Sequence, residues 1–315
     1  MFSIVVATFN RGQSLAATLK SLLAQASDPP FEIIVVDNNS SDETRSIVHT
    51  LRVRAPDTLR YVFEGKQGLS VARNSGINAA RGEIIAFTDD DVIVHPNWLQ
   101  ALVAAYQEYP DAACIGGKIL LGPLGVLPRW FDPTSEYMLG FLSCFDLGDC
   151  VTKLEYPSDV WGANFSLRRD VISSIGLFNP ELGAVGMDHN LGGEHHLVGE
   201  ESDLCLRIQR AGRTIYYCGH AMVTHLVPRG RITKRFFRER AYWVGRTHGI
   251  LFPQDSRRAA WKKVASIGSD AVGKWACALR QYSKGDAARA FESELKARSR
   301  LGYLHQSLIA RNGRR

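Results

Sequence analysis

Residues 82–91, Gly-Glu-Ile-Ile-Ala-Phe-Thr-Asp-Asp-Asp, carry a short apolar run straight into three consecutive carboxylates. A run such as Ile84–Thr88, bounded by Gly82 and the aspartates, has the length of a strand buried on both faces. Three adjacent carboxylates repel one another, so something cationic is required beside them. A hard divalent cation, bound through carboxylate and phosphate oxygens, meets that requirement. In an extended segment Asp89 and Asp91 point the same way and Asp90 points opposite. The bland alternative is a solvated acidic turn.

Working outward, further strands are expected at Ile4–Thr8, Glu32–Val36, Arg60–Phe63 and Ala112–Ile119. Leu15, Leu19, Leu22 and Leu23 recur at helical spacing between the first two, with Ser14 as the expected N-cap. Ser40 followed by Glu43 reads as a capping box opening a helix that buries Ile47, Val48 and Leu51. Two more helical stripes follow, one through Leu69, Ala72, Gly76, Ile77 and Ala80, the other through Trp98, Leu99, Leu102, Val103 and Tyr106. Apolar strands alternating with helices predict an α/β domain with a mostly parallel central sheet flanked by helices. Ligands bind such sheets beyond the carboxyl ends of the strands. Polar groups do follow the runs there: Thr8-Phe9-Asn10-Arg11, Asp37-Asn38-Asn39-Ser40 and Asp89-Asp90-Asp91. Asp37 can accept hydrogen bonds from a base or ribose, or simply make a turn with Asn38. No GxGxxG follows the first strand and no GxxxxGK[ST] occurs, which disfavours nicotinamide chemistry and excludes a P-loop.

Glu200, Glu201 and Asp203 open a helix whose apolar side includes Leu204, Ile208 and Ala211 and which ends at Gly212. Acidic groups in a first turn ordinarily complement the helix dipole. The same dipole keeps a carboxylate ionised, as a general base requires. Neighbouring helical residues project about 100° apart, so Glu200 and Glu201 do not share one role. His225 follows the apolar Ala221, Met222 and Val223 and is either structural or a neutral third ligand beside carboxylates.

With 315 residues, 45% hydrophobic and 22% charged, the chain can bury a large core and is not intrinsically disordered. No run approaches the roughly 18 apolar residues of a membrane span. Met1 and Phe2 lead directly into Ile4, Val5 and Val6 without a basic leader, so a cytoplasmic location is expected. The six cysteines contain no CxxC pair, and Cys144 and Cys150 are expected to be reduced. The net charge of +6 conceals an asymmetry. From Arg229 to Arg315 there are 21 Lys and Arg against 6 Asp and Glu, whereas residues 1–228 hold 17 against 26. A boundary near Pro228 therefore divides an acidic domain, 1–228, from a basic, mainly helical region, 229–315. Arg231, Lys234, Arg235, Arg238 and Arg240 cluster with Phe236, Phe237, Tyr242 and Trp243, as interfacial helices do. That predicts peripheral contact with an anionic membrane surface at its inner face; a solvated helix packed on the acidic domain is the alternative. The acidic first domain and the lack of any nucleic-acid motif argue against a nucleic-acid partner. Gly183–Gly199, with five glycines and three histidines (His189, His195, His196), is expected to be a mobile loop over a site.

Six stretches together resemble the family 2 glycosyltransferases, whose catalytic domain has the GT-A fold. They are 3–11 (Ser-Ile-Val-Val-Ala-Thr-Phe-Asn-Arg), 32–42, 68–76, 82–91, 161–166 (Trp-Gly-Ala-Asn-Phe-Ser) and 199–204 (Gly-Glu-Glu-Ser-Asp-Leu), in order over roughly residues 2–228. The resemblance implies an inverting, metal-dependent transfer of sugar from a nucleotide-diphosphate sugar, by default a UDP-sugar, to an acceptor hydroxyl. It places Thr8 and Asp37 on the base and ribose, with Asn10, Arg11 and Arg73 nearby. Asp91 would bind Mg²⁺ or Mn²⁺, Asp89 would support ribose or metal, and His225 would complete the coordination. Trp161, Ala163, Asn164 and Glu200 would border the acceptor. The family base is usually the aspartate of a Glu-Asp pair; here Glu201 holds that place, with Glu200 and Asp203 as alternatives. Docking on a membrane would suit a lipid-linked or glycan acceptor in surface polysaccharide or glycolipid assembly. A sugar-phosphate nucleotidyltransferase is disfavoured by the lack of a GxGxR-type loop. The remaining alternative is a non-catalytic nucleotide- or glycan-binding relative.

Overall fold

The computed structural model describes residues 1–26, 28–184, 197–252 and 257–312. They divide into two compact units. The first comprises the described residues within Met1–Pro123, Ser143–Asp188 and Glu200–Val227; the second comprises those within Leu124–Leu142, His189–Gly199 and Pro228–Arg315. The chain runs β1 (Phe2–Thr8), α1 (Gly12–Leu23), β2 (Phe31–Asp37), α2 (Thr44–Arg52), β3 (Leu59–Phe63), α3 (Leu69–Ala79), β4 (Ile84–Asp89), β5 (Val92–Val94), α4 (Trp98–Glu108) and β6 (Ala112–Leu121). Next come α5 (Glu136–Phe141), β7 (Val151–Leu154), β8 (Asn164–Arg168), α6 (Arg169–Ile175), α7 (Glu200–Arg210), β9 (Thr214–His225), α8 (Lys234–Leu251), α9 (Arg257–Ser283) and α10 (Ala287–Asn312).

Among the described residues nine strands form one sheet in the first unit, ordered β3-β2-β1-β4-β8-β6-β9-β5, with β7 beside β9. The four strands β3 to β4 are mutually parallel. Their alternate residues serve two cores: Ile4 and Val6 pack with Leu15, Leu19 and Leu22 of α1, while Val5 packs with Val36 and with Ala72 and Ile77 of α3. Burial on both faces explains why these strands are continuously apolar. The run at Ala112–Ile119 does form β6, but it does not extend the parallel set directly. β8 is inserted between β4 and β6, antiparallel to both, and parallel pairing resumes only between β6 and β9.

Two expected helix caps are not the ones used. α1 begins at Gly12, and Ser14 lies inside it, its hydroxyl donating back to the Arg11 carbonyl at 3.1 Å. Ser40 instead accepts from the Asn10 amide at 2.9 Å. Asp42 serves both helices, its Oδ2 accepting from the Gly12 amide and its Oδ1 from the Thr44 amide, each at 3.0 Å. One carboxylate facing two helix starts complements both dipoles and outcompetes the serines.

In the second unit, α8 and α10 pack around an aromatic cluster in which Trp130, Phe131, Phe141 and Phe291 all meet Phe237 edge-on or tilted. Phe237 is wholly buried, so the expectation that it belongs to an interfacial face is corrected: it is a core residue. Arg238, from the same expected surface, is bidentate to the buried Glu294 at 2.7 and 3.0 Å. Among the described residues no helix is long and apolar enough to cross a membrane.

Candidate active site

The parallel register brings the polar ends of three strands level. Thr8 is opposite Asp37 across β1 and β2, and Ala7 is opposite Asp89 across β1 and β4. Beyond Asp89 the strand ends in a turn, so simple alternation stops there and Asp90 does not point away from the site. Its carboxylate accepts from the Thr8 hydroxyl at 2.7 Å and from Arg11 Nη1 at 3.0 Å. The same Arg11 nitrogen donates to Asp91 Oδ2 at 2.7 Å. Burial, reinforced by Asp91 and Asp89 and opposed by Arg11 and Thr8, pushes the Asp90 carboxyl up to about 6. Asp90 is thus a site residue that alternation missed; the run of three acids was the available signal, because such a run demands a cation.

His225, at the end of β9, is opposite Val92 and puts Nε2 3.2 Å from Asp91 Oδ1. Both side chains are buried. Among the described residues no three His, Cys, Asp or Glu side chains form a ready-made metal cage. A neutral imidazole beside one carboxylate nonetheless suits a hard cation whose remaining ligands are substrate phosphate oxygens. Asp89 is turned toward Arg73, whose Nη2 is 3.4 Å from its Oδ1.

Asp37 is buried at the end of β2, accepting from Tyr61 Oη at 2.6 Å and from the Ser40 amide at 2.9 Å. A carboxylate has about four lone-pair positions, so this one keeps acceptor capacity for a ribose or base. Asn10 adopts φ +52°, and its Oδ1 accepts from the Ser41 and Asp42 amides at 2.7 and 3.3 Å. Its amide oxygen therefore braces the loop after β2.

Arg73, on α3, is buried and central. Its Nη1 donates to Glu200 Oε1 at 2.9 Å and to Glu201 Oε1 at 2.8 Å, while its guanidinium lies 5.9 and 5.6 Å from the rings of Phe165 and Phe178. The first turn of α7 thus aims both glutamates at one cation. They nevertheless differ. Burial and then Glu201, against the pull of Arg73, push the Glu200 carboxyl up to about 8. Asp203 is engaged by Arg207 one turn along, at 2.8 and 3.0 Å. Gly162 is required here: a Cβ at this position would lie 1.8 Å from Glu201 Oε1.

The Glu200 shift has a measurable consequence. A folded-state value raised above the ordinary 4.5 means that its contribution to stability is present below about 4.5 and is lost as pH rises through about 8. Thermal unfolding of wild type and Glu200→Gln between about pH 4 and 8.5 should show the wild type losing ground to the variant as pH rises. A pH-independent difference would refute the assignment.

Trp161 is half-buried and stacks on Phe145 at 5.9 Å, leaving it able to offer a ring to an acceptor. Ala163 and Asn164 sit deeper. Both are buried; the Ala163 carbonyl accepts from Thr88 at 2.9 Å. Asn164 accepts from Trp98 Nε1 at 2.8 Å and donates to the carbonyls of Lys118 and Ala221 at 2.9 and 2.7 Å. These bonds tie β8 into the sheet. His189, His195 and His196, with most of the glycine-rich segment, lie outside the described residues.

Residues 3–175 match the family described as Glycosyl transferase family 2. The chain is 29% identical over 262 residues to the glucosyl-dolichyl phosphate glucuronosyltransferase of Haloferax volcanii, covering 81% of this chain and 79% of that one. It is 30% identical over 264 residues to the succinoglycan biosynthesis protein ExoM of Rhizobium meliloti, covering 82% of this chain and 78% of the other. In fold it is similar to the mannosyltransferase PcManGT of Pyrobaculum calidifontis, solved in complex with GDP-Man and Mn²⁺. That likeness has a TM-score of 0.60 at 17% identity, over 98% of this chain and 86% of the other. The architecture is the GT-A fold. The chain belongs to glycosyl transferase family 2 and has the enzyme class of a glycosyltransferase.

Proposed function

We propose that this glycosyltransferase inverts the anomeric centre of a nucleotide-diphosphate sugar, with a UDP-sugar as the first candidate, in transferring it to an acceptor hydroxyl. The observation that carries this reading is the convergence of Glu200 and Glu201 on Arg73, which also reaches Asp89 at the edge of the acidic strand end. Thr8 and Asp37 would receive the nucleoside. Asp91 with His225, supported by Asp89, would hold Mg²⁺ or Mn²⁺, which when bound neutralises charge growing on the departing diphosphate. The fold relative's complex with GDP-Man and Mn²⁺ supports that assignment.

Glu201 is the favoured base. Glu200 is more deeply buried and its carboxyl is pushed upward, and Asp203 is engaged with Arg207, whereas Glu201 is held by Arg73 beside Gly162. It would accept the acceptor proton as that oxygen attacks from the face opposite the leaving group. Single displacement inverts the centre without a covalent enzyme intermediate. The acceptor is proposed to be a lipid-linked or polysaccharide glycan at an anionic membrane surface, in keeping with the glucosyl-dolichyl phosphate and succinoglycan named in the two relatives.

A thermal-shift panel of UDP, GDP, dTDP and CMP, each with and without Mn²⁺, tests the donor site. A ligand at 100 times its Kd should stabilise by about 2.7 kcal/mol. One diphosphate should show a manganese-dependent shift that disappears in Asp91→Ala. A folded protein that responds to none of the four would instead favour a non-catalytic relative.

A further inference from the structure

Among its described residues helix α9 carries a largely exposed stripe. Ala265, Gly268, Val272, Ala276 and Leu279 recur at steps of three and four residues, so they share one face. Val272 is 71% exposed and Leu279 67%, and Ala265 and Ala276 are exposed beside them. The packing face lies elsewhere, with Ala271 and Ala278 buried. Arg300 of α10 reaches Asp270 at 2.7 Å, and Ser293 of α10 reaches Gln281 at 2.8 Å.

What flanks the stripe identifies its partner. By helical projection Lys262 and Arg280 stand along one side, both exposed, and the exposed Lys284 follows directly after the last residue of the helix. On the other side stand Tyr282, exposed, and Trp275, half-buried beneath the Arg298 guanidinium. Residues 257–284 hold seven Lys or Arg and a single acid, Asp270. A second copy of this helix would bring two such cationic rows together, which like-charge repulsion opposes. An anionic lipid surface matches every element: apolar side chains for the acyl boundary, aromatic residues for the headgroup level, and long cationic chains reaching to phosphates. Helix α8 is a poorer candidate, because Phe237 is core and Arg238 is held by Glu294.

We propose that α9 lies in the plane of an anionic membrane surface, inserting Val272 and Leu279 while Lys262, Arg280 and Lys284 meet the headgroups. The purpose of this docking rests on the membrane-borne acceptor proposed above. Its test does not, since the vesicles contain neither donor nor acceptor.

The experiment is flotation of the full chain with phosphatidylcholine vesicles, alone or with phosphatidylglycerol, at low and high salt. The wild type should float with the anionic vesicles at low salt and stay down with the neutral ones. Val272→Asp/Leu279→Asp should reduce flotation about tenfold or more, as should Lys262→Glu/Arg280→Glu. Unchanged circular dichroism and melting would show that each variant is folded, and the charge-reversal pair decides if the aspartate pair does not fold. No flotation of the wild type, or equal flotation of folded variants, overturns the proposal. A dimer that Val272→Asp/Leu279→Asp dissociates, without vesicle binding, would assign the stripe to a second copy instead.

Discussion

Glu201→Gln is expected to slow sugar transfer by about two to four orders of magnitude while leaving nucleotide binding intact. The glutamine keeps the shape of the side chain, and its oxygen can still accept from Arg73 Nη1, now 2.8 Å from Glu201 Oε1. What it loses is the capacity to take a proton from the acceptor hydroxyl. Because nothing else in the first turn of α7 changes, the donor-dependent thermal shift should persist at wild-type magnitude. Single-turnover transfer rates measured beside that shift separate chemistry from binding. A variant that binds nucleotide and transfers at the wild-type rate would rule Glu201 out as the base. Loss of both binding and rate would point to a collapsed site rather than a missing base.

Arg73→Met is expected to cost about 3–5 kcal/mol of stability, because it leaves buried carboxylates without their shared cation. Glu201 would lose the cation that holds it, Glu200 its hydrogen-bond donor, and Asp89 its partner at 3.4 Å. Methionine preserves much of the apolar stem between Phe165 and Phe178, so the loss reports charge more than volume. The pH dependence should confirm this. Carboxylates deprived of a cation hold protons more tightly, so the deficit against wild type should shrink as pH falls from about 7.5 to about 5. Thermal unfolding at the two pH values measures it. A deficit under about 1 kcal/mol at both would mean that solvent, not Arg73, balances these acids.

Much of the first unit was legible in the chain. Strand and helix alternation through residue 119 follows from spacing that repeats within a few residues, and the polar groups at the ends of β1, β2 and β4 follow from where those runs stop. The caps were misread because the winning acceptor, Asp42, serves Gly12 from 30 positions away, beyond any local pattern. The bracing bonds of Asn164 were out of reach of the sequence for a similar reason. A motif position says that a residue matters, not whether its amide faces a ligand or ties three strands and a helix together.

By itself the sequence determined the α/β alternation, the acidic strand end, the pair of glutamates opening α7 and the basic C-terminal region, since each depends on composition or short-range periodicity. The tertiary structure decided what those features do to one another. It inserted β8 antiparallel beside β4, brought Arg11 to Asp90 across 79 positions and Arg73 to Glu201 across 128, and turned Phe237 inward while leaving Val272 and Leu279 outside. These are properties of where distant segments return. Hydrophobic patterning marks which side of an element seeks burial, but only the assembled packing determines what covers it and which charges then share a low-dielectric site.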